Sequence, residues 1–324
     1  MGLVKIVSYN VKFGDCFLLT FEKNAERYML LVDCGTRKQD LKEVNFSEIV
    51  ENIKSEMQAS GVEKLDFLLT HVHADHYNGI KFLAEHIDRV FTGTDLFSYE
   101  ATQVKDKFSL SELGINMSHE RMICVQQGKV LLHSYKDGSN EEINVLWPRK
   151  TIQTDVYSDF IHGNFGDEIT PQHNADKPGN FSEYEDYINN TSVVFEAEGV
   201  DGNLYLFTGD FSNIVSSSYN GPSSINLSPI TEELFTQMRR RKYRLIKAPH
   251  HGTSNYTWPI SNGLLQDDGI ILISWGPYNA RKNWAPIYQE QGHIFATNIP
   301  DDFCGGAVHC GDVIEINIEH SIKN

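Results

Sequence analysis

The stretch Thr70-His71-Val72-His73-Ala74-Asp75-His76 constrains this chain more than any other, because it packs three imidazoles and a carboxylate directly behind an apolar run. That run, Lys64-Leu65-Asp66-Phe67-Leu68-Leu69, has the length and composition of a short buried strand. Behind the cluster, Tyr77-Asn78-Gly79 followed by Ile80-Lys81-Phe82-Leu83-Ala84-Glu85-His86-Ile87 has the pattern of a turn entering a helix. The donors therefore sit at a strand-to-helix junction. Alternation in an extended turn points His71 and His73 one way, while Asp75 and His76 swing toward a neighbouring position, so one cluster can serve two ions. Nitrogen and carboxylate donors in this mixture suit zinc, manganese or iron.

Two later segments end in donors of the same kind. Asn203-Leu204-Tyr205-Leu206-Phe207-Thr208-Gly209-Asp210 is an apolar strand closing on an aspartate, and Arg244-Leu245-Ile246-Lys247-Ala248-Pro249-His250-His251-Gly252 is another closing on paired histidines. The His-x-His-x-Asp-His pattern, with these later donors in order, resembles the metallo-β-lactamase superfamily. That resemblance implies an α/β fold, a four-layer αββα sandwich with one or two metals at one edge. Flanking text narrows it: Phe13-Gly14-Asp15-Cys16, Leu31-Val32-Asp33-Cys34-Gly35, Asn189-Asn190-Thr191-Ser192 and Ile273-Ser274 occur in the order seen in the branch resembling the ComEC competence-protein hydrolase domain. The likeness covers most of the chain and leaves about forty residues near 150–188, and part of 95–125, unmatched. It says little about substrate, since one fold hosts many reactions.

The resemblance implies a ligand set. Asp210 bridges two cations, Zn2+ or Mn2+; His71 and His73 hold one, and Asp75, His76 and one of the paired histidines hold the other. The superfamily pattern places the metal-bound histidine before glycine, which favours His251 and leaves His250, with Asp75, for catalytic duty at the substrate; the reverse assignment of the pair stays open. Asp33 and Asp15 stand where they can accept the second ring N–H of a ligand histidine, and for Asp15 a turn role is an equal alternative. Many superfamily members carry a further histidine where this chain has Asn189 and Asn190. Those asparagines, and His162 and His173 from the unmatched segment, are candidate additional ligands.

Length and composition fit a single domain over residues 1–324, with 40% hydrophobic residues, no linker, and an insertion at about 151–187 that reads as a lid or a partner-binding element. No apolar stretch is long enough for a membrane span. Five cysteines form an odd set without a Cys-x-x-Cys pair, and the first residues lack a signal-peptide pattern; both lead to the expectation of a cytoplasmic setting. The net charge of −16 argues against a broad basic surface for nucleic acid. The run Arg239-Arg240-Arg241-Lys242-Tyr243-Arg244, with Lys247 beyond it, is a solvated helix end, a contact for a phosphodiester or nucleic-acid substrate, or a protein contact.

These readings converge on metal-assisted hydrolysis, in which a metal-bridged hydroxide attacks the substrate. The expected enzyme is a phosphodiesterase or nuclease. A small-molecule hydrolase acting on a lactone, lactam or thioester, and a hydrolase component of a multiprotein system activated by its partner, are the alternatives.

Overall fold

Apolar residues on both faces of successive strands build two sheets that bury a common interior and still have apolar outer faces to cover. The computed structural model describes residues 2–102, 108–148, 189, 191–211, 234, 236–238, 240–252, 257–275, 293–298, 304–306 and 308–319. The insertion at 151–187 with His162 and His173, and also Asn190 and Arg239, lies outside them.

The strands are β1 (Gly2–Tyr9), β2 (Cys16–Lys23), β3 (Glu26–Cys34), β4 (Leu65–Leu69), β5 (Ile87–Thr92), β6 (Met122–Cys124), β7 (Gly128–Ser134), β8 (Asn140–Trp147), β9 (Val194–Glu198), β10 (Leu204–Phe207), β11 (Tyr243–Lys247), β12 (Leu265–Ser274), β13 (His293–Thr297), β14 (Val308–Cys310) and β15 (Val313–Asn317). One sheet has the order β15-β1-β2-β3-β4-β5-β6 and the other β14-β13-β12-β11-β10-β9-β8-β7. In each, antiparallel strands lead into a parallel run, β3 to β6 in the first and β10 to β14 in the second. The last strand, β15, returns to pair antiparallel with β1.

Alternation assigns each side chain to a layer. Phe17, Leu19 and Phe21 of β2, Leu30 and Val32 of β3, Phe195 of β9 and Phe207 of β10 meet between the sheets, with the Phe195 and Phe207 rings stacked at 4.9 Å. Leu18, Met29, Leu31 and Phe67 point to the opposite face of the first sheet, where they pack under helix α1 (Phe46–Ser60). The second sheet turns Leu206, Ile246, Ile271 and Ile273 outward onto Trp258 and Ile260 of the short helix α4 (Trp258–Ser261), with Leu234 and Met238 beside them. Three apolar layers between four structural ones make this the αββα sandwich expected from the sequence. The helix numbering is completed by α2 (Ala74–Tyr77) and α3 (Leu96–Thr102).

Helix α1 forms because Phe46, Ile49, Val50, Ile53 and Met57 fall on one buried face. The Asn45 side chain accepts from the Glu48 amide at its start, and Gly61 closes it in the left-handed conformation. Residues 80–87, expected as a helix, form two 3-10 turns, Ile80–Phe82 and Ala84–His86. Strand β5 begins at Ile87, and Lys64 Nζ donates to the Glu85 carbonyl, so too few residues remain for a stable helix. Cys304 and Cys310 form a disulfide, whereas Cys16, Cys34 and Cys124 are free. The odd count and the missing Cys-x-x-Cys pair gave no sign of this bond, and cysteine usage therefore does not argue for a reducing compartment. No helix among the described residues is long and apolar enough to cross a membrane.

The parallel strands of both sheets deliver their carboxyl ends to one edge. Here Gly35, just after β3, lets the backbone of α2 approach: a Cβ at this position would lie 2.6 Å from the Asp75 carbonyl carbon and from the His76 and Tyr77 amide nitrogens. Gly35→Ala is expected to cost about 1–3 kcal/mol in denaturant unfolding, since backbone rather than a flexible side chain must move, and to weaken divalent-cation binding measured by titration calorimetry in the folded variant.

Candidate metal centre

The end of β3 supplies Asp33, the turn after β4 supplies His71 and His73, and α2 supplies Asp75 and His76. From the second sheet, Asp210 follows β10, and His250 and His251 follow β11. Gly209 sits on the seam between the halves with φ +52°, and a Cβ there would lie 2.9 Å from Ser192 Cβ and 3.0 Å from Thr70 Cβ. The seam is stitched by Val193 N–H donating to the Thr70 carbonyl (2.9 Å) and by the Asp210 amide donating to Ser192 Oγ (3.1 Å). Three non-glycine residues here adopt positive φ: Asp33 (53°), His250 (45°) and His251 (56°). Each such residue costs on the order of 1–3 kcal/mol and persists where the surroundings over-determine it.

The outer ring nitrogens of His71 and His76 are hydrogen-bonded and that of His251 faces a carboxylate, which turns their inner nitrogens toward a common centre. His76 Nδ1 lies 2.8 Å from Asp33 Oδ2, and His251 Nδ1 lies 3.3 Å from Asp15 Oδ1. His71 Nδ1 lies 3.1 Å from Thr70 Oγ1, and that hydroxyl donates its proton to Asp33 Oδ2. His71 must therefore carry its own proton on Nδ1, leaving a lone pair on Nε2. Burial pushes the Asp33 carboxyl upward, but the Thr70 amide, the Thr70 hydroxyl and His76 all point at it and hold it as an acceptor. Asp15 is a hub between the halves: besides facing His251, it pairs with Lys247 Nζ and accepts from Ser274 Oγ, while its backbone bonds Asp75 and Gly35.

The inner donors are spaced as metal ligands are. His71 Nε2 and His73 Nδ1 lie 3.0 Å apart. Asp210 Oδ2 lies 3.3 Å from His76 Nε2 and 3.5 Å from His251 Nε2, and His251 Nε2 lies 3.6 Å from Asp75 Oδ2. Two ligands at about 2.0–2.1 Å from one tetrahedral ion are about 3.3 Å apart, so these separations match the edges of a coordination shell. Two groups drawn from this set, His71-His76-Asp210 and Asp75-His76-His251, each bring their donor atoms within 4.8 Å of one another. His76 Nε2 and His251 Nε2 are buried and make no hydrogen bond, as expected of atoms whose lone pairs are meant for a cation. The donor set fits divalent metal.

The two adjacent histidines are not equivalent. His251 is fully buried, with its ring 4.7 Å from that of Phe13. His250 keeps 25% of its side-chain surface, with Nε2 3.9 Å from Asp210 Oδ2. Burial lowers the His250 pKa to about 4, so the ring is neutral at pH 7. Asn189, two residues before Thr191 and three before Ser192, is buried, and its Oδ1 makes no hydrogen bond.

Sequence reasoning placed Lys247 in a basic surface run, whereas it is 1% exposed at the floor of the centre. Its neighbours in the run are also engaged. Arg241 pairs with Glu196, Lys242 donates to the Gly263 carbonyl, and Arg244 pairs with Asp268 at 2.5 Å. Among its described residues, only Arg240 is left as an exposed cation with no contact of this kind. Ser274 and Thr70 were also missed as supports. The available signal was that each lies at the carboxyl end of a strand, beside a donor or on the inter-sheet face.

The sequence matches no protein-family model and no curated protein. The structure is similar to a metallo-β-lactamase of Cronobacter sakazakii with a HARLDQ motif (12% identity, TM-score 0.36, covering 74% of this chain and 75% of that one). It is also similar to the metallo-β-lactamase MIM-1 of Novosphingobium pentaromativorans (12% identity, TM-score 0.35, covering 88% and 89%). A third similar structure is the metallo-β-lactamase SMB-1 in complex with mercaptoacetic acid (13% identity, TM-score 0.37, covering 78% and 83%).

Without metal the centre binds protons. Burial alone would lower His251, but the Asp210 and Asp15 carboxylates raise it to about 9, and His76 is raised by Asp210 and Asp33 against the same burial. A cation must displace those protons, so its apparent affinity is expected to fall about tenfold per pH unit for each proton released as pH drops from 8 to 6. Calorimetry in buffers of different ionisation enthalpy measures the release. The chelated protein is expected to behave oppositely in stability. A folded pKa of about 9 against about 6.5 unfolded gives His251 a stabilising contribution that is full below pH 6.5 and lost as pH rises through 9. Denaturant midpoints of chelated and metal-loaded protein across that window check the sign.

Proposed function

We propose that this chain is a metal-dependent hydrolase of the metallo-β-lactamase superfamily, with two divalent cations, acting on a phosphodiester. The carrying observation is that Asp210 Oδ2 faces both His76 Nε2 and His251 Nε2 at ligand-edge distances, with His71 and His73 presenting a second pair of nitrogens alongside. His71, His73 and Asp210 would hold one cation, and Asp75, His76, His251 and Asp210 the other. When bound, the cations supply a nucleophile at neutral pH and neutralise negative charge on substrate oxygens, which suits a phosphoryl centre already carrying charge.

The chain's own residues do the rest. Asp33, Asp15 and Thr70 fix the three buried rings. The open side of the centre is formed by His250, at 25% exposure, and Asp75, at 17%. Substrate arrives there, and neutral His250 donates its N–H to a substrate oxygen or takes a proton from it. Because the described cations of the 239–247 run are largely engaged, that run does not supply a long polyanion groove. A compact phosphodiester or a strand end fits this better than extended duplex.

The test is hydrolysis of bis-p-nitrophenyl phosphate and of labelled single-stranded DNA by protein loaded with Mn2+ or Zn2+, with metal content measured by mass spectrometry. About two ions per chain and turnover that falls at least about a hundredfold in Asp210→Asn are expected. Bound metal with cleavage of a lactone, lactam or thioester instead would move the substrate to that class, turnover only with an added protein would mark a partner-activated component, and absence of bound metal would overturn the reading.

A further inference from the structure

Lys247 is the buried cation of the centre, and its contacts form a closed cycle. Its Nζ pairs with Asp15 Oδ2, lies 3.5 Å from Asp210 Oδ1 and donates to the Gly209 carbonyl at 3.0 Å. Each carboxylate then turns its other oxygen to the same imidazole: Asp15 Oδ1 lies 3.3 Å from His251 Nδ1, and Asp210 Oδ2 lies 3.5 Å from His251 Nε2. The ammonium reaches this position because β11 shifts register against β12 between Tyr243 and Leu245. Leu245 faces the interior between the sheets, Ile246 faces outward, and Lys247 faces inward again, 6.0 Å from the Phe17 ring.

The consequence falls on Asp210. A free carboxylate beside two cations can give one oxygen to each, or share a single oxygen. Here Oδ1 faces the ammonium, and it is Oδ2 that faces His76 Nε2, His251 Nε2 and, at 3.9 Å, His250 Nε2. Ser192 Oγ accepts from the Asp210 amide and Gly209 is held through its carbonyl, so the backbone on both sides of the side chain is pinned as well. We infer that Lys247 is a positioning residue that turns Asp210 so that Oδ2 would be the oxygen presented to both cations, by holding its charge 3.5 Å from Oδ1 and by tying the same charge to the Asp15 support of His251. This rests on the two-cation reading of the centre.

The readout is the electronic coupling of the metals rather than turnover. Wild-type protein loaded with Mn2+ is expected to hold about two ions per chain and to give the electron paramagnetic resonance spectrum of an exchange-coupled pair. Lys247→Met, checked for folding by circular dichroism, is expected to retain about one ion or to show only the spectrum of uncoupled Mn2+. If that variant does not fold, Lys247→Gln, which keeps a donor near the Gly209 carbonyl but drops the charge, is expected to show the same loss. A coupled pair in either folded variant would overturn the inference and leave Lys247 as simple charge compensation. Wild-type protein that binds no pair would instead overturn the two-cation reading on which the inference stands.

Discussion

Four aspartates, Asp15, Asp33, Asp75 and Asp210, converge on one seam, three of them essentially without solvent contact. Removing a carboxylate from water costs several kcal/mol even after relaxation, so this seam is tolerable only where cations and donors are supplied in matching geometry. Lys247, the imidazoles, the Thr70 and Ser274 hydroxyls and local amides supply part of it. The donor set is arranged so that divalent ions would supply the remainder. Because Asp15 comes from the loop before β2, Asp33 from the end of β3, Asp210 from the turn after β10 and Asp75 from α2, the electrostatics of the centre also bear on how the two sheets meet.

The apolar layers make that arrangement affordable in a geometric sense. A buried Phe or Leu contributes about 1.5–3 kcal/mol, and the interior between the sheets holds Phe17, Phe21, Phe91, Phe195 and Phe207 with hardly any exposure. Rigid strands on either side keep the donors from relaxing away from one another when metal is absent, at the expense of left-handed backbone at Asp33, His250 and His251. Strain and preorganisation are here the same feature.

Much of the fold and the first half of the centre was legible because its information is local. His71 to His76 are contiguous, and the strands leading to Asp210 and His251 announce themselves by apolar content. Contacts that close across the seam were harder to see. Whether Asp15 supports a histidine or only shapes a turn depends on the partners that β11 and β12 bring to it, and Lys247 reads as surface charge until the register shift in β11 turns it inward. Residues 80–87 carry a helical apolar period, yet the neighbouring strand leaves too little chain for the helix to form. In each case the missing information was long-range.

The pairing of β15 with β1 joins residues as distant as Asn317 and Lys5. During synthesis at about 5–20 residues per second, β1 therefore waits on the order of tens of seconds with one edge unsatisfied, although β2 can already pair on its other side. An open edge is a template for strands of other chains. For this protein the interval between emergence of the first strand and arrival of the last is thus a period of exposure to misassembly, which a chaperone would have to cover and which ends only when the final strand docks.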